Sequence, residues 1–247
     1  MERPINILIT SLIIALLCCN LNGQVECNKE IYKSFIADKM NLWENQMKKM
    51  EDNYKVTKSA NCLYDLTFAE YGFIVYCILT KQRNKAQIYL NKAEHNANKL
   101  LKHDLLWAEI YSLKAALYGF KIEFNKMKAP KYGLKSLEYM DKAMKLDKNN
   151  ARVWMEKGNI SYYIPAFLGG GLSEAIACHE KSIKLFEKDN NYLKYNWLYL
   201  LVLTNLGRWY TEANNIEKAK FIYEKALEFE PEFLWVKNDL YPKILNK

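Results

Sequence analysis

The chain has 247 residues; half of them are hydrophobic, and only nine are glycine and five proline. So few chain breakers favour an all-α protein over a β-sheet protein. The formal net charge of +8 would suit a nucleic-acid partner, but the lysines are spread along the whole chain and form no patch. We therefore expect a solvated basic surface, no nucleic-acid partner, and at most weak association with an anionic membrane surface.

The first residues have the pattern of a secretory leader. An apolar segment from Ile5 to Cys19 is followed by abruptly polar sequence, and it is too short to serve comfortably as a membrane anchor. We predict that residues 1–23 are a signal peptide cleaved after Gly23. Residues 24–247 would then form a single exported, periplasmic domain.

Two alternatives for the leader stay open. A lipoprotein would be acylated at Cys18 or Cys19, but lipidation prefers a small residue immediately before the cysteine, and Leu17 or Cys18 stands there. An uncleaved anchor is the other alternative. The cleaved signal is the interpretation that the pattern favours.

Four cysteines follow the leader, and an even number in an exported chain permits disulfides: Cys27, Cys62, Cys77 and Cys178. Cys62 and Cys77 share one predicted helix and stand about 22 Å apart along it, so they cannot bond to each other. Cys27 with Cys62 is the pairing to test first. Small buried hydrophobic side chains are an equally good interpretation of these residues.

The first helix after the leader is predicted from Asn28 to about Tyr54. Its apolar residues alternate at steps of four and three, which indicates one long amphipathic helix with a single buried stripe: Tyr32, Ile36, Met40, Trp43, Met47, Met50 and Tyr54. A second helix, capped by Ser59, runs to about Leu79. Because two acidic residues interrupt its apolar run, we expect it to be buried in the protein rather than to span a membrane.

Further helices follow in pairs, and the second helix of each pair carries a small residue near its start: Ala86, Ser136, Ala175 and Ala219, separated by 50, 39 and 44 residues. Asp104 is placed to cap the first helix of one pair. Asn149-Asn150 separates that pair from the next. The pattern yields ten helices in about five hairpins, with no strand.

The most regular stretch runs from Leu200 to Pro231. It contains L-x-x-L-G-x-x-Y, then A-x-x-x-Y-x-x-A and a closing proline, at Leu203, Leu206, Gly207, Tyr210, Ala219, Tyr223, Ala226 and Pro231. Gly207 and Ala219 remove side-chain bulk where two helices face each other. Asn214-Asn215 marks the turn between these helices, and Pro231 is well placed to begin the next one.

This pattern resembles the tetratricopeptide repeat (TPR), a hairpin of two antiparallel helices. The resemblance implies an all-α, TPR-like α-solenoid of about five antiparallel hairpins, closed by a C-terminal capping helix from Pro231. Residues 151–189 and 200–233 are the clearest repeats. Residues 60–102 resemble a degenerate repeat with Gly72 in the position of the family's glycine.

TPR proteins bind other proteins, so the resemblance implies a non-enzymatic scaffold that binds a protein or peptide partner in the bacterial cell envelope. In this family the first helix of each hairpin lines the concave face. Applied here, that rule gives a groove lined by Arg152, Met155, Asn159, Tyr162, Thr204, Arg208 and Thr211. An ordinary solvated helix face is an equally good interpretation of the same residues.

A glycine-rich segment from Tyr162 to Ser173 lies between two predicted helices. It carries neither nucleotide-binding fingerprint, so we expect a loop with positive φ angles before Ser173 caps the next helix. Its P-x-x-x-G-G sequence resembles an insertion of periplasmic TPR proteins, including the T component of TRAP transporters. That resemblance implies an alternative function, a small-ligand-handling accessory of a transport system. A closed pocket lined by Trp and Tyr would favour the ligand, and an open polar channel the peptide.

No pattern for catalysis or metal binding is present. The three histidines, His95, His103 and His179, form no metal-binding motif, and no nucleophile signature occurs. We therefore predict no enzymatic activity, no metal and no cofactor. His179 occupies an aromatic packing position, and we expect it in the core.

Overall fold

The computed structural model describes residues 26–102 and 107–245, and within them the chain consists of helices and turns without a β-strand. The predicted signal peptide, with its cleavage position and the alternative lipidation sites, lies outside this part, as do His103 and the predicted cap Asp104. In chain order the helices are α1 (26–36), α2 (Met40–Thr57), α3 (Ala60–Leu79), α4 (Arg83–Leu100), α5 (Ala108–Phe124), α6 (Ala129–Leu146), α7 (Ala151–Tyr163), α8 (Leu172–Phe186), α9 (Asn190–Leu193), α10 (Trp197–Glu212), α11 (Ile216–Phe229) and α12 (Tyr241–Leu245). One-turn 3₁₀ helices precede α6 and lie between α7 and α8, and a π-helical turn, Val236–Leu240, precedes α12.

The first predicted helix is in fact two helices, so the prediction of one continuous helix was wrong. Asp38 adopts a left-handed conformation with φ of 52°, and the amide of Lys39 donates to the carbonyl of Ser34 at 2.8 Å. This is the hydrogen-bond pattern with which many helices end. Met40 still follows Ile36 by four residues, so the break leaves the apolar spacing unchanged and hides it from a periodicity argument.

Most of the remaining helices pair into hairpins: α3 with α4, α5 with α6, α7 with α8 and α10 with α11. Successive hairpins contact each other through α4 and α5, α5 and α7, and α8 and α10, as in a stacked repeat array. The predicted all-α array of hairpins is confirmed. The small residues at the starts of the second helices are widely spaced in the sequence for two reasons. Helices α3 to α6 are each 17–20 residues long, and a loop and α9 flank α8.

The close helix crossing predicted at Gly207 is present. A Cβ atom added to Gly207 would lie 2.3 Å from Cε1 of Tyr223, and one added to Gly158 would lie 2.3 Å from Nδ1 of His179. The two hairpins therefore use the same glycine-to-ring contact. Gly72 is also closely approached, but by Trp43 on α2 and Trp197 on α10.

Asparagine side chains cap the N-termini of three helices. Oδ1 of Asn150 accepts from the amides of Arg152 and Val153, which caps α7, and Asn215 accepts from Lys218 to cap α11. Asn196 caps α10 in the same way. The predicted turn at Asn214-Asn215 is confirmed, with Asn214 in a left-handed conformation.

One predicted cap makes no capping hydrogen bond, and two predicted helix starts differ from the structure. Ser59 directly precedes α3, but its side chain makes no capping hydrogen bond. Helix α8 begins one residue before Ser173, so that serine is not the cap. Pro231 lies in a turn, and helical structure resumes only at residue 234. The C-terminal segment still packs on the array, since Phe233, Val236 and Ile244 are buried.

The two ends of the array contact each other through aromatic side chains. The rings of Trp43 on α2 and Trp197 on α10 lie 4.9 Å apart, and Phe35 on α1 contacts Trp197 at 5.8 Å and Phe233 at 5.2 Å. The hydroxyl of Tyr32 on α1 donates to Glu230 at 2.8 Å. The first helices therefore pack against the last hairpin, which a simple open solenoid does not require.

Helix α3 lies in the middle of this arrangement. Among the described helices it is the one that is long and apolar enough to cross a bilayer, but 67% of its most apolar window is buried inside the protein. It contacts α2, α4 and α5. As expected from the sequence, α3 packs as a core helix.

Candidate functional site

The structure divides the seven predicted groove residues into two groups. Met155 and Thr204 are fully buried, and Arg152 and Asn159 face other side chains inside the array. Tyr162, Arg208 and Thr211 lie near the C-terminal ends of α7 and α10. Thr204 and Thr211 each donate a hydrogen bond to a carbonyl one turn earlier in their own helix. Whether any of the seven binds a partner stays a prediction.

Arg152 is the centre of a polar network in the interior. Its guanidinium donates to the hydroxyl of Tyr64 on α3 and to Oε2 of Glu109 on α5, at 3.5 Å. Tyr64 donates to the same carboxylate. The guanidinium also lies over the rings of Phe68, at 4.8 Å, and Tyr192, at 5.6 Å. The first helices of three successive hairpins therefore meet at one ion pair.

Glu109 receives hydrogen bonds from several sides. Asn150 donates through Nδ2 to Oε1 at 2.9 Å, and the hydroxyl of Tyr192 donates to the same oxygen at 3.4 Å. Burial by itself would raise the pKa of Glu109, but Arg152 and these donors outweigh it and hold the pKa below its usual value. The carboxylate is thus ionised and structural at neutral pH.

A second polar cluster lies one to two helical turns further along α7. Asn159 donates to the hydroxyl of Tyr71 at 3.4 Å and to Glu156 at 3.3 Å, and Glu156 is 1% exposed. Burial raises the pKa of Glu156 to about 7. Tyr71 stacks on Phe120 at 5.6 Å, so α3, α5 and α7 are held together here as well.

These two clusters fill the interior side of α7. In the described part of the chain the space between α3, α5 and α7 is neither an open polar channel nor a closed aromatic pocket, because the protein's own side chains occupy it. A surface recess of about 380 Å³ lies elsewhere, at the turn residues Lys81 to Lys85.

The outer surface carries a group of aromatic residues at the ends of α7 and α10. The ring of Tyr162 stacks on Trp209 at 5.3 Å, with 11° between the planes, and its hydroxyl donates to Glu212 at 2.8 Å. The pKa of Tyr162 is raised, mainly by this hydrogen bond to Glu212. The nearby charge of Arg208 acts in the opposite direction and only partly offsets the increase. Arg208 itself is exposed.

The glycine-rich loop follows Tyr162 and Tyr163 directly in the chain. Its backbone is tied to α7 by a hydrogen bond from the amide of Gly171 to the carbonyl of Ser161, at 2.8 Å. Gly169 and Gly171 have φ angles of 84° and 90°, which confirms the predicted positive-φ loop. The loop carries two of three strongly exposed side chains: Tyr163 at 84%, Phe167 at 85% and Leu168 at 67%. We call Tyr162, Tyr163, Phe167, Leu168 and Arg208 the loop platform.

His179 lies behind the loop platform in the core, as predicted. It is fully buried, and its ring contacts that of Trp209 at 4.2 Å. Burial lowers its pKa to about 3, so it is neutral at physiological pH. Among residues 26–102 and 107–245, no group of three His, Cys, Asp or Glu is placed to hold a metal ion.

Periodicity in the sequence did not reveal the partners of Arg152 or the supports of the loop platform. Tyr64 and Glu109 look like ordinary members of two amphipathic helices, and nothing local shows that α7 faces both. Trp209 gave a weak signal, since a tryptophan two residues after Gly207 must lie on a different face from the helix crossing.

Comparison with known proteins supports the fold. No family model matches the chain. A thermophilic TPR protein from Thermus thermophilus has a similar structure, with a TM-score of 0.63 at 16% identity over 92% of this chain and all of that one. The chain has a TPR-like fold. The HusA haemophore from Porphyromonas gingivalis is also similar, with a TM-score of 0.52 at 17% identity over 70% of this chain and 91% of that one.

One curated protein resembles the sequence. The human cilia- and flagella-associated protein 70 is 31% identical over 149 residues, which is 58% of this chain. The matched region is 11% of that protein, so the chain spans about a tenth of its length. The match therefore concerns a segment and not a whole protein.

Proposed function

We propose that this protein is a non-enzymatic TPR-like scaffold that binds a protein or peptide partner through the loop platform. The observation that carries the proposal is the strong exposure of three large apolar side chains, Tyr163, Phe167 and Leu168, within six residues of the chain. Clustered exposed apolar side chains on a folded protein commonly mark an interaction surface. Phe167 and Leu168 lie on a loop whose backbone is held by hydrogen bonds, so binding orders less backbone than it would in a disordered segment.

The composition of the loop platform indicates the chemistry of the partner. Aromatic and aliphatic side chains provide the buried area that dominates binding energy. The exposed guanidinium of Arg208 can donate two parallel hydrogen bonds to a carboxylate. The partner would therefore present an apolar segment with an acidic group beside it, either an aspartate or glutamate side chain or a chain terminus.

The proposed location is the bacterial cell envelope, after removal of the leader. The support is the sequence pattern of residues 1–23. Mass spectrometry of protein purified from the envelope should find a chain that begins at Gln24, cyclised to pyroglutamate. A diacylated Cys18 or Cys19 would replace this proposal with a lipid-anchored protein.

The test of the binding surface is a triple substitution of Tyr163, Phe167 and Leu168 by serine. A tagged wild-type chain and the variant would be used to capture proteins from an envelope extract, with quantification by mass spectrometry. We expect at least one specifically captured protein to be lost from the variant, whose thermal melt should be unchanged because all three side chains are exposed.

The matched control replaces Ile88 and Leu134 by serine. These side chains are 56% and 70% exposed on α4 and α6, away from the loop. Capture should survive this change. If the control variant loses the partner and the loop variant keeps it, the interaction surface lies on α4 and α6 and the loop platform is not the site.

The small-ligand alternative, a transport accessory like the TRAP T component, has less support. The likeness to a haemophore concerns the fold alone, and the interior is filled by side chains. A spectroscopic titration with haem tests it directly. Saturable haem binding at micromolar concentration, equal in the wild type and the triple loop variant, would favour this alternative over the scaffold.

A further inference from the structure

Two of the four described cysteines lie near each other, at the starts of helices α1 and α3. Cys27 lies in the first turn of α1 and Cys62 in the first turn of α3, and both line one small recess with Met50, Asn53 and Asp65. The neighbouring residue Asn28 donates to Asp65 at 2.9 Å. This hydrogen bond fixes the start of α1 against the start of α3, one helical turn from Cys62.

The electrostatics agree with this placement. The pKa of the Cys27 thiol is raised, first by burial, with the charge of Lys49 acting in the opposite direction and Cys62 close enough to contribute. Cys62 is 5% exposed, and Asn53 lies 3.5 Å from its sulfur. Cys27 is the more accessible of the two thiols.

We infer that Cys27 and Cys62 are a disulfide-forming pair that locks α1 onto α3 when the protein meets an oxidant of the disulfide class. The thiolate of Cys27 attacks one sulfur of the oxidant, and the other sulfur leaves as a thiolate that takes up a proton. The Cys62 thiolate then attacks the Cys27 sulfur of the mixed disulfide and displaces the second thiol. Two protein thiols are oxidised to one disulfide, and one disulfide is reduced to two thiols.

The consequence concerns the closure of the array. Helix α1 holds the two ends of the molecule together, through Tyr32 with Glu230 and through Phe35 with Trp197 and Phe233. An isolated helix of 11 residues has little stability of its own. A covalent bond from its first turn to α3 prevents it from detaching, so the oxidised protein keeps its first and last helices in contact.

The test uses the full-length chain with Cys18 and Cys19 replaced by serine, which removes the leader thiols. After incubation with glutathione disulfide at pH 8.5, the intact mass should fall by about 2 Da, and peptide mapping should find residues 27 and 62 joined. Oxidation should raise the melting temperature by about 5 to 10 °C, reversibly with dithiothreitol, because the crosslink closes a loop of some 35 residues.

Four single variants separate the outcomes. Cys27→Ser and Cys62→Ser should each abolish both the mass change and the gain in melting temperature. Cys77→Ser and Cys178→Ser should change neither, because neither of these residues lines the recess that Cys27 and Cys62 share. A stable glutathione adduct on Cys27 with Cys62 free, a crosslink to Cys77 or Cys178, or no reaction in the folded wild type would each overturn the inference.

Discussion

Two arginines that the repeat pattern assigns to one groove lie in opposite surroundings. Arg152, near the start of α7, is 16% exposed and bonded to Tyr64 and Glu109 from two other hairpins. Arg208, near the end of α10, is exposed beside the aromatic rings of the loop platform. The difference shows that a position within a TPR-like hairpin does not determine whether a side chain is available. Contacts between distant hairpins decide that.

The largest effect that separates the two sites is expected for Arg152→Ala. Removing the guanidinium leaves the Glu109 carboxylate largely buried without its cation, and breaking a buried ion pair in this way costs about 3 to 5 kcal/mol. Urea denaturation should therefore show a much lower midpoint than the wild type.

The matched control combines Arg152→Met with Glu109→Gln. Replacing both charges of a buried pair by neutral groups is often nearly neutral for stability, so the double variant should recover most of the loss. If Arg152→Ala alone costs less than about 1 kcal/mol, the interior network does not hold the three hairpins together as the structure indicates.

A somewhat smaller loss is expected for Gly207→Leu, which tests the close crossing of α10 and α11. The first added carbon would already lie 2.3 Å from the Tyr223 ring, and overpacking of this kind costs about 1 to 3 kcal/mol or more. Gly133→Leu on α6 is the control, since its added Cβ meets nothing within 4 Å. Thermal melts of the two variants within about two degrees of each other would contradict the assigned crossing.

The features that the sequence predicted are those with short-range causes. Gly207 and Tyr223 are 16 residues apart, and the turn between their helices is determined by Asn214 and Asn215. Local spacing is enough to place such a hairpin. The helix break at Asp38 was not predicted, because the apolar residues on either side of it keep their four-residue spacing.

The interior was not predictable in the same way. Tyr64 and Arg152 are 88 residues apart, and Tyr32 and Glu230 are 198 apart. A polar face on α7 looks solvated when only its own helix is considered. It becomes a buried network only because tyrosines from α3 supply hydrogen-bond partners. The spacing of apolar residues within α7 does not indicate which distant helix packs against it.

The pH dependence of stability should report the buried carboxyl groups of the interior. Burial raises the pKa of Glu70 to about 8 and that of Glu156 to about 7. In the unfolded chain both ionise near their ordinary value, so their contribution is fully present below about pH 4.5. It declines as pH rises towards the folded pKa values, because the unfolded state releases these protons first.

The measurement compares wild type with a Glu70→Gln, Glu156→Gln variant between pH 5 and pH 8. The variant should become progressively more stable relative to wild type from pH 5 to pH 8, because only the wild type has carboxyl groups that ionise more readily in the unfolded than in the folded state. His179 and other groups affect both proteins equally and cancel. A difference that is constant with pH, or that shrinks as pH rises, would show that these carboxyls are not buried as described.

The smallest effect on stability, and the one that bears on binding, is expected for Arg208→Ala. The side chain is exposed, so the free energy of unfolding should change by less than about 0.5 kcal/mol, in contrast to Arg152→Ala. Capture of the partner should nevertheless weaken more than tenfold, because a lost charge-assisted hydrogen bond costs about 1.5 to 3 kcal/mol. Added salt should weaken wild-type binding in the same direction. Lys145→Ala, an exposed charge on α6, is the matched control and should leave capture unchanged. If both variants bind as the wild type does, the charge of Arg208 plays no part in recognition, and the aromatic residues of the loop platform would have to account for binding alone.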